Sequence, residues 1–444
     1  MSEPSDPHVS AAEWRNWAGD QRCAPAAVRA PASTEELSAA IQEAARRGLA
    51  VRVAGAGHSF GDIALTDGMM LKLDRLAGVL DVDRSSGLAR VQAGITIHEL
   101  SRQIAAHGLA LENLGDIDRQ TIAGAISTAT HGTGARLRNL SAQVSELTLV
   151  LADGSTLVCS EERDPETFRA ARVGLGTLGA IAEVTLRCVP AFTLHGVDAP
   201  APLSDTLARF EELALANDHF EFFVFPHTDT ALTRTNNRTG QAPRPRGRLS
   251  AYLNDVLLTN RAFELSCLAG RRFPARIPQL NRLVTRLAGR SERVERSAEI
   301  FASPRLVRFT EMEYALPRER TVEAVGRVME LIEERGFAVP FPIEVRTVAP
   351  DDAFLSTAAG RESGFVAVHM YRGMAWEPYF RAVEAIMGEL GGRPHWGKRH
   401  FQTAATLRPR YPDWDRFRAV RARLDPEGRF ANAWSERVLG PVDG

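Results

Sequence analysis

The chain has 444 residues, of which 44% are hydrophobic and 25% charged, the proportions of an ordinary globular protein with a large core. Its 54 basic and 55 acidic residues leave a net charge of −1, a balance that argues against a phosphate-tracking nucleic-acid binder. No run approaches the roughly 18 apolar residues of a membrane span, and the four cysteines, Cys23, Cys159, Cys188 and Cys267, are too dispersed for a disulfide framework or zinc site. The first twenty residues have neither a basic nor an apolar signal region, so a cytoplasmic protein is expected.

In chain order, Ser33-Thr34-Glu35-Glu36 caps a helix through Ala45 that carries Leu37, Ala40 and Ile41 on one face. Leu49–Ala54 reads as a strand running into a glycine-rich turn. Met70–Leu73, Val79–Val82 and Ala89–Ala93 are further strands, Leu100–His107 a short helix, and Leu147–Cys159 a hairpin turning at Asp153-Gly154. After Pro190 the texture changes. Residues 204–216 suit one amphipathic helix, Glu221–Phe225 a strand, and Asn236–Gly247 a polar, proline-broken loop. Pro317–Gly336 reads as a helix with proline in its first turn, Ile343–Val348 and Phe365–Tyr371 as strands, and Trp376–Leu390 as a helix.

Four segments carry chemistry. Val53-Ala54-Gly55-Ala56-Gly57-His58-Ser59 leaves a strand on small residues, which lets backbone N–H groups approach a pyrophosphate. Phe60 stands where a third dinucleotide-site glycine belongs, and a tight structural turn explains the spacing equally well. Gly174-Leu-Gly-Thr-Leu-Gly179 matches the glycine pattern of nicotinamide sites, but helix-like residues precede it and strand-like residues follow. The order is reversed, so a helix stop or close packing against a ligand is the better reading. Gly115–Gly134 is rich in small and hydroxyl side chains, a cradle for a polar ligand. Alternation puts Glu344 and Arg346 on one strand face, a pattern that a surface ion pair would also give. His395 and His400 are five apart, a poor match to metal ligands, and no metal is assigned. No G-x-S-x-G serine elbow is present.

In combination, the Val53–Ser59 turn, Thr130-His-Gly-Thr-Gly134, Ala171-Arg-Val173 with Leu178-Gly179, Pro342–Arg346 and Arg393-Pro-His-Trp-Gly-Lys398 resemble the FAD-linked aldonolactone oxidases. These include L-gulono-1,4-lactone and D-arabinono-1,4-lactone oxidases of the vanillyl-alcohol oxidase superfamily, with alditol oxidases as close relatives. The resemblance implies a two-domain α+β flavoprotein: an FAD-binding domain over 1–190, a substrate cap over 191–400, and a segment 401–444 packing back on the first domain. It implies cofactor contacts at Val53, Ala54, Gly55, Ala56, Gly57, His58, Ser59, Gly115, Asp116, Thr121, Gly124, Thr128, Ala129, Thr130, His131, Ile181 and His395. Glu344, Arg346 and Lys398 would be catalytic and, with Asp116, would face the substrate.

The implied chemistry is oxidation of the secondary alcohol beside a lactone carbonyl, with hydride passing to flavin N5, a step of ascorbate-type biosynthesis. Arg346 and Lys398 would stabilise developing negative charge while Glu344 positions the hydroxyl or takes its proton. The resemblance further implies a covalent flavin on His58. It also implies that Gly115 leaves a path by which oxygen rather than an acceptor protein reoxidises the flavin. Many alditol oxidases carry serine at the position of Asp116, which weighs against transferring polyol specificity. A polyol oxidase, a cytochrome- or dye-linked dehydrogenase and a flavin-free carbohydrate binder are the competing functions.

Overall fold

The computed structural model describes residues 13–244, 260–302 and 306–442. The N-terminal expectation for residues 1–12 and the end of the expected loop, residues 245–247, fall outside the described residues.

Two small sheets build the first half. Ala27–Arg29 (β1) and Val51–Ala54 (β2) flank Met69–Lys72 (β3) in a parallel sheet. The helix Thr34–Arg46 (α1) connects β1 to β2. Ser33 Oγ accepts from Glu36 N–H to start it, and Leu37, Ala40, Ile41 and Ala44 bury its inner face. Val79–Asp83 (β4), Leu88–Gln92 (β5), Val144–Val150 (β6), Thr156–Ser160 (β7) and Ala180–Arg187 (β8) form an antiparallel sheet in the order β7-β6-β8-β5-β4. The helix Pro165–Ala171 precedes the Gly174–Gly179 turn and β8 follows it. Leu175, Gly176 and Gly179 there all take positive φ, at 55°, 65° and 141°.

The second half is one antiparallel sheet of eight strands. Its members are Thr193–Pro202 (β9), His219–Val224 (β10), Thr230–Thr239 (β11), Ser291–Arg296 (β12), Phe309–Pro317 (β13), Ile343–Val348 (β14), Ser363–Tyr371 (β15) and Arg393–Pro394 (β16). They lie in the order β12-β9-β11-β10-β14-β15-β13-β16. One face of the sheet is apolar: Phe220, Phe222, Met312, Tyr314, Val345 and Val368 pack against the helices Thr321–Arg335 and Glu377–Glu389. The other face carries charged side chains and turns toward the first half.

Residues from both ends of the chain share one apolar core. Trp414, Phe417, Phe430 and Trp434 cluster with Val51, Leu71 and Ile126, and Val51 N–H donates to the Arg429 carbonyl at 2.7 Å. Leu194, Ile300, Phe354 and Trp396 join that core from the middle of the chain.

Three expectations are corrected. The helix expected over 204–216 is two, Leu203–Ala208 and Phe210–Ala216, broken where Arg209 leaves helical geometry; Thr206, Phe210 and Ala214 still share a buried face. Asn236–Thr239 is not loop but the end of β11, because β9 pairs with it and Asp218 accepts from the Arg238 N–H. The composition favours a turn and the neighbouring strand overrides it. Pro317 closes β13 opposite Ser363 rather than opening a helix; a short 3₁₀ turn intervenes and the helix starts at Thr321.

Candidate active site

The strand β2 delivers its glycine-rich turn to the rim of a narrow cleft. Val53, Gly55, Ala56, Gly57, His58, Ser59, Thr121, Gly124, Thr128 and Ile181 line it, together with Leu175, Gly176 and Gly179 from the reversed glycine motif. The close approach of the walls explains the small residues. A Cβ on Gly55 would lie 2.5 Å from Thr121 Oγ1. Arg52 ties the walls together by donating to the carbonyls of Ile63, Leu175, Gly176 and Phe430. Burial lowers its pKa to about 10, which leaves it charged at neutral pH.

Other expected contacts lie elsewhere. Ala54 and Ala129 are buried outside the cleft lining, and Thr130, also outside it, is buried with no hydrogen-bond partner for its hydroxyl. Gly115, Asp116, His131 and His395 sit instead against the polar face of the large sheet.

His58 lies where this cleft meets a second, wider cavity lined by Trp17, Asp118 and Phe192. Its ring stacks on Trp17, with centroids 5.8 Å apart. Burial, then the charges of Lys398 and Arg308, push its pKa down to about 4, so the imidazole is neutral at pH 7. Its Nδ1 is buried and has no hydrogen-bond partner. The Ser59–Phe60 end of the same turn is held to the C-terminal motif, since Phe60 N–H donates to the Gly397 carbonyl at 2.8 Å.

Facing the turn is the polar face of the eight-stranded sheet. Arg346 donates through Nε to Glu221 at 3.0 Å and through Nη2 to Asp116 at 2.5 Å, and its Nη2 also bonds Glu344. Burial opposes that charge, but the carboxylates of Asp116, Glu344 and Glu221 outweigh it and hold the guanidinium pKa well above its ordinary value. Arg234 extends the row, bridging Glu221 and Asp198. Glu344 and Arg346 are thus buried members of a charged network, not a surface ion pair. One residue pair further along, Lys398 Nζ lies 2.6 Å from Glu311, and His369 Nε2 faces Glu311 at 3.6 Å and Glu344 at 3.8 Å. His369 Nδ1 lies 3.1 Å from the Pro342 carbonyl, which fixes the proton on that nitrogen.

Below this row, His131 places both ring nitrogens against oxygens: Nδ1 at 2.8 Å from the Gly132 carbonyl and Nε2 at 3.3 Å from Glu313. A carbonyl only accepts, so Nδ1 is the donor there and Nε2 is the nitrogen that faces the Glu313 carboxyl. Burial would raise the Glu313 carboxyl pKa, but the neighbouring His131, Lys398 and His395 bring it well below the usual range. His395 accepts from the Gly397 N–H at its Nδ1, and burial lowers its pKa to about 3. Among the described residues, His131, Glu313 and His395 could converge on a cation, as could two acidic groups beside them. His131 Nδ1 and His395 Nδ1 are engaged by backbone groups, and Arg346 and Lys398 place positive charge against the acidic groups.

Glu221, Arg234, Glu311, Glu313 and His369 escaped the sequence reading. Period two in Phe309-Thr-Glu-Met-Glu-Tyr already places both glutamates of β13 opposite Met312 and Tyr314. Their partners come from distant segments of chain, Lys398 and His131 from outside the strands, so the pairings themselves carry no sequence signal.

Residues 184–438 match the D-arabinono-1,4-lactone oxidase family, and residues 25–160 match the FAD binding domain family. The chain belongs to the D-arabinono-1,4-lactone oxidase family. A protein of Mycobacterium tuberculosis named L-gulono-1,4-lactone dehydrogenase is 53% identical over 428 residues, 96% of this chain and 99% of that one. A Bos taurus L-gulonolactone oxidase is 35% identical, covering 96% and 98%. A Streptomyces alditol oxidase is 33% identical, covering 96% and 98%. Among solved structures, a cholesterol oxidase from B. sterolicum superposes with a TM-score of 0.82 at 17% identity, covering 99% of this chain and all of that one, which establishes the shared fold. This lactone oxidase family member is therefore an FAD-dependent oxidoreductase of the vanillyl-alcohol oxidase fold. The glycine-walled cleft and the unpartnered His58 Nδ1 at its end fit such a cofactor.

Proposed function

We propose that this protein oxidises a sugar-1,4-lactone of the L-gulono-1,4-lactone type at the secondary alcohol beside the carbonyl. The observation that carries the reading is the buried Asp116–Arg346–Glu344 group beside Lys398 and His369, on a sheet face adjoining the cleft that ends at His58. When bound, FAD would supply the hydride acceptor at N5. The chain's own groups do the rest. Arg346 and Lys398 stabilise the alkoxide that develops as the hydroxyl loses its proton. Glu344 is engaged by Arg346 and orients the hydroxyl; His369, with its Nδ1 proton held by Pro342, is the better placed proton acceptor.

The reading extends to a covalent bond from a ring nitrogen of His58, neutral and unpartnered at Nδ1, to the flavin 8α carbon. The imidazole N–H and one 8α C–H would be given up as protons, and the two electrons would reduce the flavin and leave with the acceptor that serves turnover. It also places the enzyme in the cytoplasm; among the described residues no helix is long and apolar enough to cross a membrane. Two measurements on one sample test it. Anaerobic L-gulono-1,4-lactone should bleach the flavin far faster than xylitol does, and acid precipitation should leave a yellow pellet. Absence of bleaching by any aldonolactone defeats the first claim, and complete release of FAD into the supernatant defeats the second.

Oxygen is the acceptor we propose, and the dehydrogenase name of the 53% identical relative favours a second reading, an acceptor protein. The expected role of Gly115 as an oxygen path acquires a complication. A Cβ there would lie 2.9 Å from the His131 carbonyl oxygen, so alanine must displace backbone as well as fill space. Gly115→Ala is therefore expected to slow both reduction by lactone and reoxidation. Only a loss of stopped-flow oxygen reoxidation about tenfold beyond the loss in reduction supports a gate. Slow wild-type reoxidation, unchanged in the variant, removes the oxidase reading.

A further inference from the structure

Apolar side chains that project into water are concentrated on one small part of this protein. Of the eight large hydrophobic residues exposed among the described residues, five lie on the helical hairpin formed by Ala262–Arg272 and Ile277–Leu287: Leu265, Leu268, Phe273, Leu283 and Leu287. Phe273, at the turn, is 57% exposed, and Leu287 is 77% exposed. Exposure of this kind on adjacent turns marks an interaction surface rather than scattered surface leucines.

The other side of the hairpin fixes it to the cap. A Cβ on Gly270 would lie 3.0 Å from Ile277, which is where the two helices cross. On the second helix Ile277, Asn281 and Thr285 are buried at a spacing of four, and Asn281 donates to the carbonyls of Pro226 and Val339. At about 100° per residue, Leu283 and Leu287 lie roughly 200° around the axis from Asn281 and Thr285. The helix is thus held to the protein by Ile277 and the Asn281 amide, with the Thr285 hydroxyl turned back onto the Asn281 carbonyl, while Leu283 and Leu287 face away. Folding alone gives no reason for that inversion.

Charge narrows the partner. Between residues 261 and 290 there are seven arginines and one acid, Glu264, in a chain whose net charge is −1. Arg282 and Arg286 flank the exposed leucines, and Arg272 lies over the Phe273 ring at 5.1 Å. A second copy of this chain would set arginine against arginine. An acidic, apolar-centred surface satisfies both features. We propose that this hairpin docks peripherally on an anionic lipid bilayer, its leucines and Phe273 in the acyl boundary and its arginines on headgroup phosphates. The proposal rests on none of the catalytic assignments.

The test is co-sedimentation of the full-length, FAD-loaded protein with vesicles of phosphatidylglycerol and phosphatidylcholine in equal parts, against phosphatidylcholine alone. The protein should pellet with the anionic vesicles and bind the neutral ones about tenfold less. Leu283→Ser with Leu287→Ser, and separately Arg276→Glu with Arg286→Glu, should each lower binding by about tenfold, with Tm and flavin content unchanged. Protein that stays in the supernatant, or that pellets equally with neutral vesicles, overturns the proposal. So does a dimer in sedimentation velocity that the leucine pair dissolves, because the patch then belongs to a second copy.

Discussion

Replacing Arg346 by lysine is expected to lower kcat/KM for the lactone by about tenfold or more, equivalent to about 1.4 kcal/mol of transition-state stabilisation. Arg346 meets Glu221 through Nε while Nη2 serves Asp116 and Glu344. An ammonium retains the charge but has no planar fork to span three carboxylates on separate elements. Flavin content should remain near wild type, because the nearest walls of the cofactor cleft do not depend on this side chain. Arg346→Met is a harsher change. It leaves Asp116, Glu221 and Glu344 together in a buried site without their shared cation, and breaking such a group costs about 3–5 kcal/mol. Urea denaturation reads that loss directly. If both variants keep wild-type reductive kinetics and stability, the network is neither catalytic nor structural, and the assignment of this face fails.

Acid should destabilise the protein well before its carboxylates protonate. His219, His395 and His400 are buried, and burial lowers their pKa values to about 4, 3 and 3. In the unfolded chain they titrate near 6.5. Below that value the unfolded state binds protons that the folded state refuses, so stability falls as pH falls, and it continues to fall until the folded pKa values are reached. Moving from about pH 7.5 to about pH 5.5 should therefore cost about 4 kcal/mol across the three histidines. Glu313 acts at a lower window. Its folded pKa lies well below the usual range, so its contribution persists above the unfolded carboxylate value and disappears on further acidification. Urea unfolding at the two pH values measures the first effect. A flat profile between them would mean that these histidines take up protons in place.

Most elements of the first half, and in the second half β10, β14, β15 and the helices Thr321–Arg335 and Glu377–Glu389, were legible because their signals are local; β9, β12, β13 and the hairpin Ala262–Leu287 were not. Period-two and helical spacings, the Ser33 cap and the glycine turn after Val53 each depend on neighbours in sequence. The elements misread were those whose state is set from outside. The polar Asn236–Thr239 stretch is strand only because β9 and Asp218 supply partners, and Pro317 is strand because Ser363 lies opposite.

The same division holds for the site. Sequence by itself determined that Glu344 and Arg346 share a face, that a glycine turn ends in His58, and that the reversed Gly174–Gly179 motif is no nicotinamide site, since each follows from backbone periodicity or element order. Only the tertiary structure decided that Arg346 serves three carboxylates drawn from three separate segments of chain, that Lys398 pairs with Glu311, and that His131 faces Glu313. Apart from Glu344 and Arg346, two positions apart on one strand, those partners are separated by tens to hundreds of positions. Strand order in the eight-stranded sheet brings them within hydrogen-bond reach, and burial there makes each unpaired charge too costly to leave alone.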